Sequence, residues 1–197
     1  MERGRRRAPR PTVRERLEAG EITLDEATEK AREHVLRSLT AAPRTRAQLT
    51  ESLARKDYPH EVVDPLLDRL EEVGLIDDAA YAAMLVRTRH AERGASRRLL
   101  AQELRRKGID EGTAADALAQ VDDDDEREAA RELAVRRVAR TRGLDRDVRI
   151  RRAVGALARK GYAPGLAFEL VREALDREAS DDGVSDGELF DGEPFDA

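Results

Sequence analysis

The sequence predicts an all-α fold: a curved, elongated array of three tandem three-helix repeats, with a disordered basic N-terminal arm and a disordered acidic C-terminal tail. Four observations predict it. Of 197 residues, 31 are Ala and only 3% are aromatic, so helix formers abound. The β-branched and aromatic runs of a sandwich, barrel or doubly wound sheet are missing. Apolar residues recur at i, i+3/i+4, as one face of a helix requires. Finally, Leu53-Ala54-Arg55-Lys56-Asp57-Tyr58 returns as Leu104-Arg105-Arg106-Lys107-Gly108-Ile109 and as Leu157-Ala158-Arg159-Lys160-Gly161-Tyr162, at separations of 51 and 53 residues.

Each element follows in order. Residues 1–22 mix Arg, Pro and Gly without periodicity and read as the basic arm. Repeat 1 spans 23–77. It opens on Thr23 and Glu26, a capping-box spacing that predicts a helix over about 24–40. Thr45 with Gln48 starts its middle helix, and Val62, Val63, Leu66, Leu67, Leu70 and Val73 line the third. Repeat 2 spans 78–124, with helices near 78–92, after Ser96, and a thinner one holding Ala114, Ala117, Leu118 and Val121. Repeat 3 spans 125–178, with helices near 126–141, before Leu157, and along Leu166, Ala167, Leu170, Val171 and Ala174. Gly74, Gly94, Gly108, Gly143 and Gly161 stand where helices should stop. Asp57 replaces the glycine of the other two copies, so the first turn is expected to differ in detail. Residues 179–197 read as the tail.

The net charge of -5 hides segregation. Segment 87–107 is +6 and 131–160 is +8, while 108–130 is -8. Two basic stripes in an acidic chain point to a polyanion or an acidic protein face as partner. Candidates are Arg87, Arg89, Arg93, Arg97, Arg98, Arg105, Arg106 and Lys107 in the middle repeat. In the last they are Arg136, Arg137, Arg140, Arg149, Arg152, Arg159 and Lys160. Helical spacing places Arg93 and Arg97 on one face, and Arg149 and Arg152 on another. Tyr81 and Tyr162 read as core rather than as base-stacking platforms.

Enzyme chemistry finds no foothold. With no Cys there is neither disulfide nor thiolate, which fits a reducing cytoplasm. His34, His60 and His90 have no ligand spacing, and Ser96 reads as an N-cap with nothing to activate it. The run Asp122–Glu126 reads as a solvated linker favouring a helix N-terminus, not as a metal site. Asp182, Asp186, Gly187 and Glu193 fall at calcium-loop positions, but Val184 offers no ligating oxygen there. No catalytic residue, cofactor or metal is expected, and no membrane span.

Two functional readings remain. Thr45–Asp78 has the cadence of a winged-helix transcriptional regulator, which would need a β-hairpin after Leu75-Ile76; the run Ala79–Leu85 is helical instead. The second reading is a protein that docks along a repeating polymer. Leu75-Ile76-Asp77-Asp78 with Tyr81, then Gly94, Arg97 and Glu103-Leu104-Arg105-Arg106-Lys107-Gly108-Ile109, resemble the central signature of the RecX family. Leu157-Ala158-Arg159-Lys160-Gly161-Tyr162 and Arg44-Thr45-Arg46-Ala47-Gln48-Leu49 are similar to its C-terminal and N-terminal motifs. The resemblance covers roughly 30–177. It implies a monomeric, cytoplasmic regulator of DNA repair, recombination and the SOS response. Such a protein binds in the groove of the RecA recombinase filament on single-stranded DNA, with weak DNA contact of its own. It mostly inhibits ATP hydrolysis, strand exchange and stimulated repressor cleavage, and has no catalytic residues. Phe190 and Phe195, set among acids, suggest a docking motif or an intramolecular competitor for the basic stripes.

Overall fold

The computed structural model describes residues 11–185. Among them the chain forms α1 (Val13–Glu18), α2 (Leu24–Ala41), α3 (Arg46–Ala54), α4 (His60–Glu72), α5 (Asp78–Arg93), α6 (Arg97–Arg106), α7 (Glu111–Leu118), α8 (Asp123–Ala139), α9 (Arg146–Ala158) and α10 (Pro164–Ser185), and no strand. Helix α5 stands where a winged-helix domain would place its hairpin.

Both predicted flanks are partly helical. Thr12 accepts from the Glu15 N–H, and the Glu15 carboxylate accepts from the Thr12 N–H at 2.8 Å, a reciprocal cap that starts α1 inside the expected arm. Val13 and Leu17 then pack on the first apolar core, which rewards the ordering. At the other end α10 continues through residues 179–185, because Ala179 and Ser180 do not break it and Ser180 bonds back to the Asp176 carbonyl. Residues 1–10 and 186–197, the latter with Phe190, Phe195 and most of the calcium-like spacing, lie outside the described residues.

Packing divides the chain into two units. One holds the residues up to Met84 together with Leu104–Ala117; the other holds Leu85–Glu103 with everything from Leu118 on. The first is centred on Val35, Leu49, Leu53, Val62 and Leu67, from α2, α3 and α4. The second is centred on Leu133, Val138, Leu157, Leu170 and Val171, from α8, α9 and α10. The second repeat is shared between the units, in keeping with the thin apolar face of α7.

The three repeated motifs build one turn. Lys56, Lys107 and Lys160 donate their N–H to the carbonyls of Leu53, Leu104 and Leu157 at 2.9, 3.0 and 2.9 Å. Tyr58, Ile109 and Tyr162 reach the same carbonyls at 3.3, 3.2 and 3.3 Å, which completes a Schellman closure each time. The expected departure at Asp57 does not occur in the backbone: its φ is +58°, beside +76° at Gly108 and +88° at Gly161. A short polar side chain tolerates the left-handed region.

What separates the turns is their neighbours. A Cβ on Gly108 would lie 2.2 Å from the Ala47 Cβ, and one on Gly161 would lie 2.3 Å from the Ser96 Oγ. Each glycine turn seats against the start of the preceding repeat's middle helix. The Thr45 hydroxyl donates to the Lys107 carbonyl at 2.6 Å, and the Ser96 N–H donates to the Lys160 carbonyl at 3.0 Å. In the first repeat the Asp57 carboxylate instead meets Arg14 of α1 at 3.2 Å.

An acid from the following repeat completes each seat. Asp78 accepts from the Arg46 N–H at 2.9 Å, and Glu126 accepts from the Arg97 N–H at 3.0 Å. Asp123 also pairs with the Arg97 guanidinium, and Asp122 caps α8. The acidic run, exposed over Asp122–Asp125 and placed at the start of α8 as expected, is also a joint through Asp123 and Glu126. Burial raises the Asp78 pKa, with the Arg46 N–H opposing it.

Candidate functional site

The structure gathers only part of the predicted basic set. In the second unit α8 and α9 form an open cleft of about 490 Å³ lined by Arg137, Arg140, Thr141, Arg151, Arg152, Ala156 and Arg159. A second cleft of about 300 Å³ continues it, sharing Arg137 and Arg140 and adding Arg93, Arg136 and Lys160 beside Glu92. Among the described residues, no carboxylate forms an ion pair with Arg93, Arg137, Arg140, Arg151, Arg152, Arg159 or Lys160. Burial lowers the Lys160 pKa, and the like charges of Arg93, Arg137 and Arg89 push it further down. A chain richer in acid than base that leaves these cations together keeps a self-repelling surface, which folding alone does not reward.

Local sequence explains the arrangement. In α9 the buried Ala153, Ala156 and Leu157 set one face inward, and Arg152 and Arg159, seven apart, project from another. Arg140 and Arg137 end α8 one turn apart, where cations also suit the helix dipole. Arg151, which the sequence reading missed, joins them, and only the tertiary fold brings it to α8. The clefts hold no aromatic side chain.

The other candidates lie elsewhere. Arg149 is an internal clamp: its guanidinium donates to Glu178 at 2.6 Å, to the Val138 carbonyl at 3.1 Å and to the Thr141 hydroxyl at 3.4 Å. Its side chain is only 15% exposed, so Arg149 and Arg152 do not share a face. The signal was available, since Arg149 precedes Ala153 by four residues and Ala156 by seven, on the buried stripe. Arg93 and Arg97 are likewise parted, because α5 ends at Arg93 and the chain turns at Gly94, φ +54°. Arg97 is paired with Asp123, Arg89 with Glu103 and Arg136 with Glu132. Arg98 lines shallow clefts beside Gly161, and Arg87 is exposed on α5. Arg105, Arg106 and Lys107 fall in the first unit, at the end of α6.

Tyr162 is core: its hydroxyl donates to the Gly94 carbonyl at 3.2 Å, and burial pushes its pKa up to about 12. Among the described residues no group of three or more His, Asp or Glu could hold a metal ion, and no helix is long and apolar enough to cross a membrane.

Comparison with known proteins matches three successive family models. They are RecX, first three-helix domain, over residues 31–70; second three-helix domain, over 77–118; and third three-helix domain, over 124–171. The chain is 48% identical over 165 residues to "Regulatory protein RecX" of Streptomyces coelicolor, covering 84% of this chain and 87% of that one. It is 52% identical over 147 residues to the protein of the same name from Thermobifida fusca, covering 75% and 80%. A crystal structure of regulatory protein RecX superposes with a TM-score of 0.66 at 28% identity, over 84% of this chain and 81% of that one. RecX from Lactobacillus salivarius gives 0.65 at 23% identity, over 76% and 97%, a likeness of fold.

Proposed function

Because the chain belongs to the RecX family of regulatory proteins, we propose that it regulates the RecA recombinase of its host. It does so by binding the recombinase filament on single-stranded DNA. The effect is mostly inhibitory, on ATP hydrolysis, strand exchange and stimulated repressor cleavage, and so it tunes recombination, repair and the SOS response. The observation that carries this reading is the paired cationic cleft of α8 and α9. It supplies unpaired guanidinium groups that can meet an acidic protein face or the phosphates in a filament. Linked repeats also suit a polymeric partner, since a second contact made by a tethered neighbour gains from high effective concentration.

Hydrolysis of ATP by the host recombinase on single-stranded DNA, with this protein titrated in, tests the reading. Binding to the same DNA without recombinase is measured in parallel. Inhibition well below one protein per recombinase subunit, with weak binding to bare DNA, is expected. Unchanged hydrolysis with tight duplex binding would overturn it.

A further inference from the structure

We propose that the acidic C-terminal segment 186–197 is an intramolecular occupant of the cationic cleft, and that a partner must displace it to bind. The proposal rests on the functional reading above and names the regulation of that same site. Its first support is where the described helix leads. Near the end of α10, Glu178 is held by Arg149 at 2.6 Å and by Arg142 at 3.2 Å. Arg149 in turn reaches Thr141, which lines the cleft beside Arg137 and Arg140. Glu178 of α10 is therefore one side chain removed from the cleft wall. Ser185 lies seven residues beyond Glu178, roughly 10 Å of helix.

The second support is reach. Twelve residues follow Ser185. Extended, twelve residues can span about 40 Å, well beyond the roughly 10 Å of helix between Glu178 and Ser185. The third is charge. The segment carries Asp186, Glu188, Asp191, Glu193 and Asp196 and no basic residue, and the larger cleft offers five arginines without a carboxylate partner among the described residues. Tethering holds such a segment at an effective concentration on the order of millimolar. An exposed contact of this kind weakens as the Debye length shrinks to about 3 Å at 1 M salt.

The chain has no cysteine, so Ala197→Cys gives a single labelling site. A benzophenone placed there should crosslink to peptides containing Arg137–Arg159 at low salt and lose that preference at high salt. A second variant neutralises the segment at constant length, with Asp186→Asn, Glu188→Gln, Asp191→Asn, Glu193→Gln and Asp196→Asn. It should inhibit recombinase ATP hydrolysis about tenfold more tightly than the wild type at low salt, and the gap should close at high salt, as screening requires. Crosslinks scattered over the surface, or equal inhibition by both proteins at every salt concentration, would overturn the proposal. If crosslinks map to the cleft but neither protein alters hydrolysis, the recombinase reading fails and the intramolecular contact stands.

Discussion

Arg149 and Arg152 sit three residues apart and have opposite fates. The Arg149 guanidinium spends its donors on Glu178, Val138 and Thr141, whereas Arg152 faces the open cleft. Arg149→Ala leaves the half-buried Glu178 carboxylate with Arg142 alone, removes one donor from the Val138 carbonyl, and should lower the melting temperature by several degrees, as a loss on the order of 1–3 kcal/mol does. Arg152→Ala should leave melting unchanged and weaken filament binding. Thermal unfolding followed by circular dichroism separates the two. Glu178 adds a pH signature. Burial raises its pKa, but hydrogen bonds from Arg149 and Arg142 outweigh that and hold it below the usual carboxylate value. Its stabilisation is therefore complete above the ordinary glutamate pKa and is lost as pH falls through the lower folded value. Glu178→Gln should flatten the acid limb of stability, measured by urea unfolding between about pH 3 and pH 7.

At the scale of elements the repeated turn is the test. Leu104 and Leu157 are fully buried, and Leu104→Ala or Leu157→Ala should each cost roughly 2–5 kcal/mol in chemical denaturation. Gly161→Ala should destabilise strongly, because the new methyl would meet Ser96 and Leu99 in a backbone conformation that L residues avoid. Asp57→Gly should be nearly neutral, since glycine takes the same φ and the ion pair lost with Arg14 is an exposed one. Much of this was legible in the sequence. The motif spacing located all three turns, and the capping pairs Thr23–Glu26 and Thr45–Gln48 form as read. What could not be read was the partner of each turn. The identity of Asp57 pointed to a different backbone, when what differs is its neighbour, Arg14 of α1. Likewise Asp123 and Glu126 carry no local sign that they serve Arg97, twenty-six and twenty-nine residues away. Counting charges along the chain found the basic segments but could not tell spent guanidinium groups from free ones, since each pairing is a tertiary event.

For the whole molecule, the position eight residues before the motif leucine is Thr45 in the first repeat and Ser96 in the second, the hydroxyl seats for the next turn. In the third repeat it is Arg149, and α9 begins a turn earlier, at Arg146. The seat that would receive a fourth turn is filled by an ion pair with Glu178, and at the opposite end Asp57 and α1 take the place of a glycine turn and its seat. Stacked-repeat proteins need terminal units that differ from the interior ones. Here the two ends carry complementary refusals, one lacking the plug and the other lacking the socket. The stacking that joins one repeat to the next thus stops at Arg149, where an ion pair stands in place of a hydroxyl seat.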